Sequence, residues 1–216
     1  LKKRVLILGS NGFIGKRLSV YLRKYYSVYC ISRNIKLENK KNIRCDISKK
    51  KQLKKKISYL PKFDYVINLS GQIEKNKSDM KKNILIGNKN LIEIFKDKKI
   101  KLLFFSTTLV YGHSSNFINK NSKPKPISEY AKIKYDTEQL YQSMSSNYSI
   151  LRLANVYDEK LTKIGFLKNL KDAIYENKFV KINRLKSSRN YIHIQDLNKI
   201  IKLLMRKNSL PNVINL

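Results

Sequence analysis

Short, almost continuously apolar runs recur along the 216-residue chain, and helical patterns separate them. A strand that is apolar at nearly every position is buried on both faces, which is typical of a parallel sheet covered by helices. The runs lie at 5–8, 28–31, 65–69, 102–105, 150–153 and 213–216, and we expect helices near 13–25, 49–58, 78–97, 128–146, 164–177 and 195–207. This alternation predicts an α/β fold with a doubly wound parallel Rossmann sheet and helices on both faces.

A glycine-rich turn follows the first predicted strand. Gly9, Gly12 and Gly15 form a GxxGxxG spacing that opens the predicted helix at 13–25. Small residues at such a turn let backbone N–H groups and the helix N-terminus approach a pyrophosphate closely. The turn therefore predicts a dinucleotide site, and the alternative is a turn needed only for packing of the strand against the helix.

Tyr130 and Lys134 are four residues apart in the predicted helix at 128–146, so they share one face of it. Lowering the pKa of a phenol from about 10 to about 7 takes about 4 kcal/mol, and an ammonium about 4 Å away supplies about that much at an effective dielectric of 20. Among 14 tyrosines and many lysines, chance can also produce this spacing on a solvated helix face. Its position downstream of the glycine turn, and of a hydroxyl-rich strand end at 106–108, favours proton transfer.

The formal net charge of +32 raises the question of a nucleic-acid partner. The charge comes from 38 lysines and 9 arginines spread along the whole chain, together with 26 isoleucines and 22 asparagines, a composition typical of an AT-rich coding sequence. Nucleic-acid recognition would favour arginine for its bidentate geometry. We therefore expect no nucleic-acid partner, although a nucleic-acid surface and attraction to an anionic membrane stay open as alternatives.

Targeting and metal-binding signals are weak in this sequence. The first 20 residues do not resemble a signal peptide, and no apolar run is long enough to span a bilayer, so we expect no integral membrane segment and a cytoplasmic location. The two cysteines and two histidines show no ligand spacing, and we expect no metal site.

Further motifs occur in the order of the predicted strands. They are Cys45-Asp46-Ile47, Leu69-Ser70-Gly71, an N-x-x-x-G-x-x-N pattern at Asn83, Gly87 and Asn90, a segment from Ser106 to Gly112, a segment from Leu151 to Tyr157, and one from Arg189 to Leu197. With the glycine turn and the Tyr130/Lys134 pair, they resemble the extended short-chain dehydrogenase/reductases. The specific resemblance, from Val5 to Leu216, is to the NAD-dependent epimerase/dehydratase family that modifies nucleotide sugars.

The resemblance implies a nicotinamide cofactor and a set of residues that bind it. Asn83, Gly87 and Asn90 are expected to be structural and are left out of this set. The implied cofactor-binding residues are Gly9, Asn11, Gly12, Phe13, Ile14, Gly15, Ser32, Arg33, Asp46, Ile47, Leu69, Ser70, Gly71, Ser106, Tyr130 and Lys134.

The resemblance also implies catalytic roles for Thr107, Tyr130 and Lys134. Tyr130 would take a proton from a sugar hydroxyl while hydride leaves for the nicotinamide, or give one to a carbonyl as hydride arrives. Lys134 would lower the pKa of the phenol and hold the nicotinamide ribose, and Thr107 would hydrogen-bond the reacting oxygen. The alternative for Thr107 is a hydroxyl that only closes a strand end.

Three residues are implied to bind substrate: Thr107, Asn155 and Arg189. Asn155 would meet the diphosphate side of a nucleotide sugar, and Arg189 would bind its phosphate, a task that suits a guanidinium. The alternatives are an ordinary turn residue at Asn155 and a surface cation at Arg189.

The residues after the second predicted strand bear on the choice of cofactor. An NAD enzyme usually places an acid there, whereas an arginine suits the extra phosphate of NADP. Ser32 and Arg33 occupy these positions and favour NADP over NAD.

The type of reaction depends on the positions that follow Thr107. The 4,6-dehydratases of this family carry an acidic pair there, and the residues here are Thr108 and Leu109, which argues against dehydration. We therefore expect a 4-keto-sugar nucleotide reductase. A nucleotide-sugar 4-epimerase with retained NAD, and a non-catalytic NADP-binding sensor or scaffold, are the alternatives.

The resemblance suggests how the chain is organised. We expect an NAD(P)-binding Rossmann domain at 1–156, a partial substrate-binding segment at 157–194, and a helix and strand at 195–216 that return to the Rossmann domain. Similar full-length proteins continue beyond the position of Leu216, so we expect a fragment whose substrate-binding portion is small and truncated. The family resemblance also predicts a homodimer through the helices at 78–97 and 128–146.

Overall fold

The computed structural model describes residues 2–71, 76–96, 99–113, 117–144, 147–158, 166–177, 179 and 189–216. Parts of the predicted helices at 78–97, 128–146 and 164–177, and much of the segment 157–194, lie outside the described residues. The strands are β1 Arg4–Leu8, β2 Ser27–Ser32, β3 Asn42–Arg44, β4 Tyr65–Asn68, β5 Lys101–Thr107, β6 Tyr148–Leu153, β7 Asn155–Tyr157, β8 Tyr191–His193 and β9 Val213–Asn215. The α-helices are α1 Phe13–Arg23, α2 Lys50–Ser58, α3 Lys77–Lys81, α4 Gly87–Phe95, α5 Glu129–Gln142, α6 Phe166–Tyr175 and α7 Ile194–Arg206.

Seven of the strands form one parallel sheet in the order β3-β2-β1-β4-β5-β6-β9. The chain runs from β1 outward to β3, then returns across β1 to build the other half from β4 to β9. The strand order reverses between β1 and β4, and in doubly wound sheets ligands bind outside the carboxyl ends of the strands at such a point. The predicted doubly wound parallel sheet is confirmed.

The continuous apolar runs have the physical basis that the sequence indicated, because helices cover both faces of the sheet. In β1, Val5 and Ile7 belong to a core on one face, and Leu6 and Leu8 to a core on the other. Helices α1 and α7 cover the first face, and α2, α4 and α5 cover the second. None of these four β1 side chains has measurable solvent exposure.

Three short strands were not predicted. β3, β7 and β8 have three residues each with a single aliphatic residue in the middle, so no run of aliphatic residues marks them. β3 extends the main sheet beside β2, and β7 pairs with β8 in a separate parallel sheet of two strands.

The helix predicted at 78–97 is interrupted. Its described part consists of α3, a π-helical turn at Lys82–Ile86 and α4. Gly87 begins α4 at a close contact, since a Cβ there would lie 2.6 Å from the side chain of Ile47. A π turn is often found at a functional site, and this one borders the cleft described below.

The described helices include none with both the length and the apolar composition required to cross a bilayer. The expected location in the cytoplasm stays a prediction.

Candidate active site

A cleft with a volume of about 440 Å³ opens at the carboxyl ends of β1, β2, β4 and β5. All the residues that the sequence assigns to cofactor binding line this cleft, which we call the cofactor cleft. They are Gly9, Asn11, Gly12, Phe13, Ile14, Gly15, Ser32, Arg33, Asp46, Ile47, Leu69, Ser70, Gly71, Ser106, Tyr130 and Lys134. The fold thus gathers residues from distant positions of the chain at one site, and their individual roles stay predictions.

The glycine turn forms one wall of the cofactor cleft by close backbone approach. Gly9 has a φ of +75°, and a Cβ there would lie 2.8 Å from the backbone nitrogen of Ser70. A Cβ on Gly15 would lie 2.7 Å from the Cα of Ser10. Larger side chains at these two positions would therefore push the turn away from the neighbouring backbone.

The N-terminus of α1 faces this turn. Its N-cap residue, Gly12, contributes no side-chain cap, and the described first turn contains no acidic residue. The first N–H groups of a helix lack intrahelical partners, and together with the helix dipole they favour an anion. This end of the cofactor cleft therefore suits a pyrophosphate.

The other end of the cofactor cleft is bordered by β2, β3 and the π turn. Arg33 Nη1 donates to Asn83 Oδ1 at 3.1 Å, so the guanidinium of the residue that follows β2 meets the π turn. Asp46 Oδ1 accepts bonds from the Ser48 backbone nitrogen at 2.9 Å and from the Ser48 hydroxyl at 2.8 Å. The carboxylate of Asp46 thus stabilises its own loop while it lines the cleft.

Sequence reasoning missed several residues of the cleft wall, namely Ile31, Asn34, Cys45, Asn83, Phe105 and Leu153. Asn83 lay in a motif that was recognised but considered only structural. Asn90 in the same motif does have a structural contact, because its Nδ2 donates to Ile47 O at 2.8 Å. The other missed residues lie in buried strands or beside predicted site residues, where the sequence pattern did not distinguish them.

Tyr130 and Lys134 both reach the cofactor cleft from α5. Ser128 begins this helix, and its hydroxyl accepts a bond from Ala131 N at 3.2 Å, as a helix N-cap does. Lys134 is only 3% exposed, and its Nζ donates to Phe105 O at 2.8 Å. That nitrogen lies 5.8 Å from the centre of the Tyr130 ring.

The electrostatics of this pair differ from the sequence expectation. Burial lowers the pKa of Lys134 to about 7, while the charge of Glu138 acts in the opposite direction. Burial also raises the pKa of Tyr130 to about 12. Burial dominates the pKa of the phenol in this structure, and the lysine bonds to a backbone carbonyl. The lowering of the phenol pKa by Lys134 stays a prediction.

Thr107 ends β5 beside the cleft. Its side chain is 8% exposed, and Oγ1 accepts a bond from Leu109 N at 3.2 Å, which caps a 3-10 turn at Thr108–Tyr111. It is not among the described residues that line the cofactor cleft, whereas the preceding Ser106 is. The structure thus shows the strand-closing contact of Thr107, and its catalytic role stays a prediction.

Asn155 and Arg189 lie at the small two-stranded sheet. Asn155 begins β7, and both its backbone nitrogen and its Nδ2 donate to Asn190 O at 3.2 Å. Arg189 directly precedes Asn190 and is exposed. Asn155 therefore contacts the residue next to Arg189. Neither Asn155 nor Arg189 is among the described residues that line the cofactor cleft.

The whole of this arrangement corresponds to a known sequence family. The sequence model of the NAD dependent epimerase/dehydratase family matches residues 5–216. The chain belongs to this family. The earlier prediction of family membership from the separate motifs is confirmed.

Individual proteins are similar to this chain in sequence or in fold. A dTDP-D-glucose 4,6-dehydratase from Dictyostelium discoideum is 28% identical over 194 residues, and the match covers 73% of this chain and 45% of that protein. The chain thus spans less than half of that relative. The Bordetella bronchiseptica enzyme WbmG in complex with NAD has a TM-score of 0.89 at 18% identity, covering 100% of this chain and 73% of that chain. UDP-glucose 4-epimerase from Thermotoga maritima has a TM-score of 0.84 at 22% identity, and the match covers 99% of this chain and 76% of that chain.

The residues of this epimerase/dehydratase member fit a dinucleotide cofactor on their own chemistry. At Gly9 and Gly15 a Cβ would collide with neighbouring backbone, so this part of the cleft is lined by backbone that a pyrophosphate can approach closely. The α1 N-terminus, uncapped by any described side chain, supplies N–H groups for phosphate. Tyr130 and Lys134 stand on the same cleft wall as Ser106, where a hydride-carrying ring would need a proton donor nearby.

Proposed function

We propose that this chain is the cofactor-binding part of a 4-keto-sugar nucleotide reductase. A bound NADPH would supply hydride to the carbonyl carbon, and Tyr130 would give its phenolic proton to the carbonyl oxygen, so that the C=O becomes CH–OH. The observation that carries this proposal is the meeting of Tyr130 and Lys134 with the glycine turn on one cleft.

The protonation state of the phenol is compatible with reduction. With a pKa raised to about 12, Tyr130 is protonated at neutral pH and can give its proton to a carbonyl oxygen. The phenolate that remains must be protonated again before the next turnover, and the same phenolate would be the base in the oxidative direction. The choice of reduction over epimerisation therefore rests on Arg33 and the NADP preference that it favours.

The proposed cofactor preference, NADP over NAD, depends on Arg33. Its guanidinium lies on the cleft wall and is bonded to Asn83, close to where β2 ends. A positioned arginine can meet the additional phosphate of NADP with charge-assisted hydrogen bonds.

Dehydration is a reaction that the residues after Thr107 do not support. The relative from Dictyostelium is named a 4,6-dehydratase, but this chain has Thr108 and Leu109 where the dehydratases carry their acidic pair. Thr108 Oγ1 donates to Leu153 O at 3.2 Å, and the Leu109 side chain is 52% exposed. Neither side chain can act as a general acid.

A nucleotide-sugar 4-epimerase with retained NAD is the second candidate. The Thermotoga structure of the same fold is a UDP-glucose 4-epimerase, and WbmG was solved with NAD. An epimerase must both remove and return hydride, so its Tyr130 has to act as base and as acid in turn. Cofactor that stays bound through purification and is unchanged after turnover would favour this candidate.

The reductase proposal is tested by mixing the protein with NADPH and a panel of 4-keto-sugar nucleotides, and following loss of the reduced nicotinamide absorbance. Tyr130→Phe should abolish turnover while NADPH binding, measured by fluorescence titration, survives. Tyr135→Phe removes a phenol one residue after Lys134 on α5 and should leave turnover unchanged. Full turnover by Tyr130→Phe would refute the mechanism, and cofactor binding without turnover of any substrate would favour a non-catalytic sensor or scaffold.

The substrate side of the proposal concerns Asn155 and Arg189. We propose that the small β7–β8 sheet, with the segment 157–194, binds the diphosphate of a nucleotide sugar, while 1–156 and 195–216 hold the cofactor. In support, α7 and β9 pack into the main sheet. Arg189→Ala should raise KM for the sugar nucleotide at least about tenfold and leave NADPH affinity unchanged, since charge-assisted bonds are among the strong ones. An equal loss of NADPH affinity would contradict this division.

The homodimer expected from the family resemblance also stays a proposal. The π turn contacts both α4 and α5, and Ile86, which ends that turn, is 42% exposed. An Ile86→Glu variant should be monomeric by light scattering while the wild type is dimeric. A monomeric wild type at micromolar concentration would overturn the proposal.

A further inference from the structure

A buried polar network lies directly behind the cofactor cleft. At its centre are Glu138 on α5, which has no exposed surface, and Arg152 on β6, which is 3% exposed. Arg152 Nε donates to both carboxylate oxygens of Glu138 at 3.1 and 3.2 Å, and Nη2 donates to Oε2 at 2.6 Å. The pair is therefore bidentate and fully enclosed, unlike the surface ion pairs of this protein.

The network reaches the elements that carry the candidate catalytic residues. Ser106, which lines the cofactor cleft and precedes Thr107, donates its hydroxyl to Glu138 Oε1. On the other side, Arg152 Nη1 donates to the Tyr111 hydroxyl at 2.7 Å, at the end of the 3-10 turn that Thr107 caps. One ion pair thus contacts Ser106, directly before Thr107, and Tyr111, at the end of the turn that follows Thr107.

Lys134 lies one helical turn before this network on α5. It precedes Glu138 by four residues, so the two side chains are neighbours on one face of α5. The bond found for Lys134 is to the neutral Phe105 carbonyl. Glu138 raises the pKa of Lys134 against the effect of burial.

The other ionisable groups around Lys134 act differently. Tyr130, on the same helix, presents the face of its ring to the lysine. Arg152 from β6 and Tyr111 from the 3-10 turn bond to each other, and Arg152 is neutralised by Glu138. At the start of α5, Glu129 pairs with Lys77 from α3 and with Lys132, at the surface. Asp136 on the same helix is exposed, so Glu138 is the described carboxylate of α5 that is buried with Lys134.

A buried ion pair is a poor source of stability, because the loss of hydration offsets much of the attraction between the charges. Its best-attested use is to fix one arrangement of the elements that it joins. Here those elements are β5, β6, α5 and the 3-10 turn, and all four meet at the candidate active site.

We propose that Glu138, clamped by Arg152, is a positioning residue for the candidate catalytic group: it holds Ser106 and α5 in fixed relation, and its carboxylate opposes the loss of charge from the buried Lys134 side chain. The inference rests on the proposed function for its catalytic meaning, since Lys134 is assigned there to the cofactor and the phenol. The effect on Lys134 itself is a property of the protein without substrate.

The experiment that tests this is an NMR titration of protein carrying lysine labelled with ¹³C at Cε. A free lysine titrates near pH 10.4, so the signal of Lys134, near pH 7, should stand apart from most of the others. Its absence in Lys134→Met assigns it. In Glu138→Gln the midpoint should move down by about one pH unit or more, because a neighbouring negative charge is lost and Arg152 is left unpaired.

Three variants separate the effect of charge from loss of packing. Glu138→Asp keeps a carboxylate and should keep the midpoint within a few tenths of a pH unit, by the same charge argument. Tyr141→Phe, the matched control, removes another buried hydrogen bond of α5, from the Tyr141 hydroxyl to Asn88 Oδ1 at 2.7 Å, and should not move it. Because breaking one half of a buried pair is strongly destabilising, the double variant Glu138→Gln with Arg152→Met provides a second folded form. It removes one charge of each sign, so its midpoint should fall by less than that of Glu138→Gln.

The outcomes divide clearly. A lowered midpoint in the Gln variant or the double variant, with Tyr141→Phe unchanged, supports the proposal. An unchanged midpoint in a folded Gln or double variant overturns it, and so does an equal shift in Tyr141→Phe. The titration needs no cofactor or substrate, so its failure is distinguishable from failure of the proposed reduction.

Discussion

Replacement of Lys134 by methionine should remove a strong dependence of stability on pH. Burial holds the pKa of Lys134 near 7 in the folded protein, against an ordinary value of 10.5. Between these two pH values the unfolded chain binds a proton that the folded protein does not. Because stability rises with pH wherever the unfolded state binds more protons, the contribution of Lys134 increases the free energy of unfolding from pH 7 to pH 10.5.

The magnitude follows from the width of that interval. Each pKa unit corresponds to about 1.36 kcal/mol, so the full interval is worth about 4 to 5 kcal/mol for this one side chain. Lys134 is 3% exposed, and solvent screening reduces this value little. Below pH 7 the lysine is charged in both states, and the contribution no longer changes with pH.

The assay is urea unfolding of the wild type and Lys134→Met at pH 7, 8, 9 and 10. Taking the difference between the two proteins cancels the titration of the other lysines and tyrosines. That difference should change by about 1.4 kcal/mol per pH unit, with the variant losing its advantage as pH rises. Lys132→Met replaces a lysine of the same helix that is half exposed, and its difference from wild type should stay nearly constant. A constant difference for Lys134→Met would refute the burial argument.

Three further predictions concern the walls of the cleft. Gly15→Ala places a methyl group against the backbone of the glycine turn and should lower the free energy of unfolding by about 2 to 3 kcal/mol, with loss of cofactor binding, as denaturant titration and fluorescence will show. Arg33→Ala should weaken NADPH binding about tenfold or more and NADH binding less than about twofold. Asn83→Ala, which removes the partner of Arg33, should weaken NADPH binding by a smaller factor. Equal losses of NADPH and NADH affinity in Arg33→Ala would contradict the assignment of Arg33 to the phosphate. Thr107→Val should lower kcat at least about 100-fold and the free energy of unfolding by about 1 kcal/mol. Thr107→Ser keeps the hydroxyl and should retain the wild-type kcat and stability. A normal kcat in Thr107→Val would show that Thr107 only caps the 3-10 turn.

The main sheet could be predicted from the sequence because its strands are buried on both faces. A run such as 102–105 has no polar position, which only a strand between two layers of helices requires. The strands β3, β7 and β8 carried no such signal, since each contains a single aliphatic residue and β3 buries only Ile43. Strands were therefore predictable where aliphatic residues follow one another, including the edge strand β9, and not where a strand contains only one.

The residues of the cofactor cleft were predictable for a related reason. The glycine turn leaves a spacing that survives in the sequence, because a Cβ at Gly9 or Gly15 would meet backbone. Asn83 was recognised in its motif, but its position at the cleft depends on the π turn, which the helical pattern does not show. The partnership of Glu138 with Arg152 joins residues on different elements and has no local signature at all.

The pKa of Tyr130 shows most clearly what spacing alone leaves undetermined. A separation of four residues put an ammonium on the same face as the phenol, and at about 4 Å that charge would offset about 4 kcal/mol. In the structure the lysine bonds to Phe105 O, and burial places the pKa of Tyr130 at about 12. Forming the phenolate at pH 7 would then take about 7 kcal/mol, beyond what the lysine supplies. Donating the proton to a carbonyl oxygen leaves the same phenolate, so reduction and oxidation both require further stabilisation of that anion, and the resting protonation state of Tyr130 does not by itself separate a reductase from an epimerase.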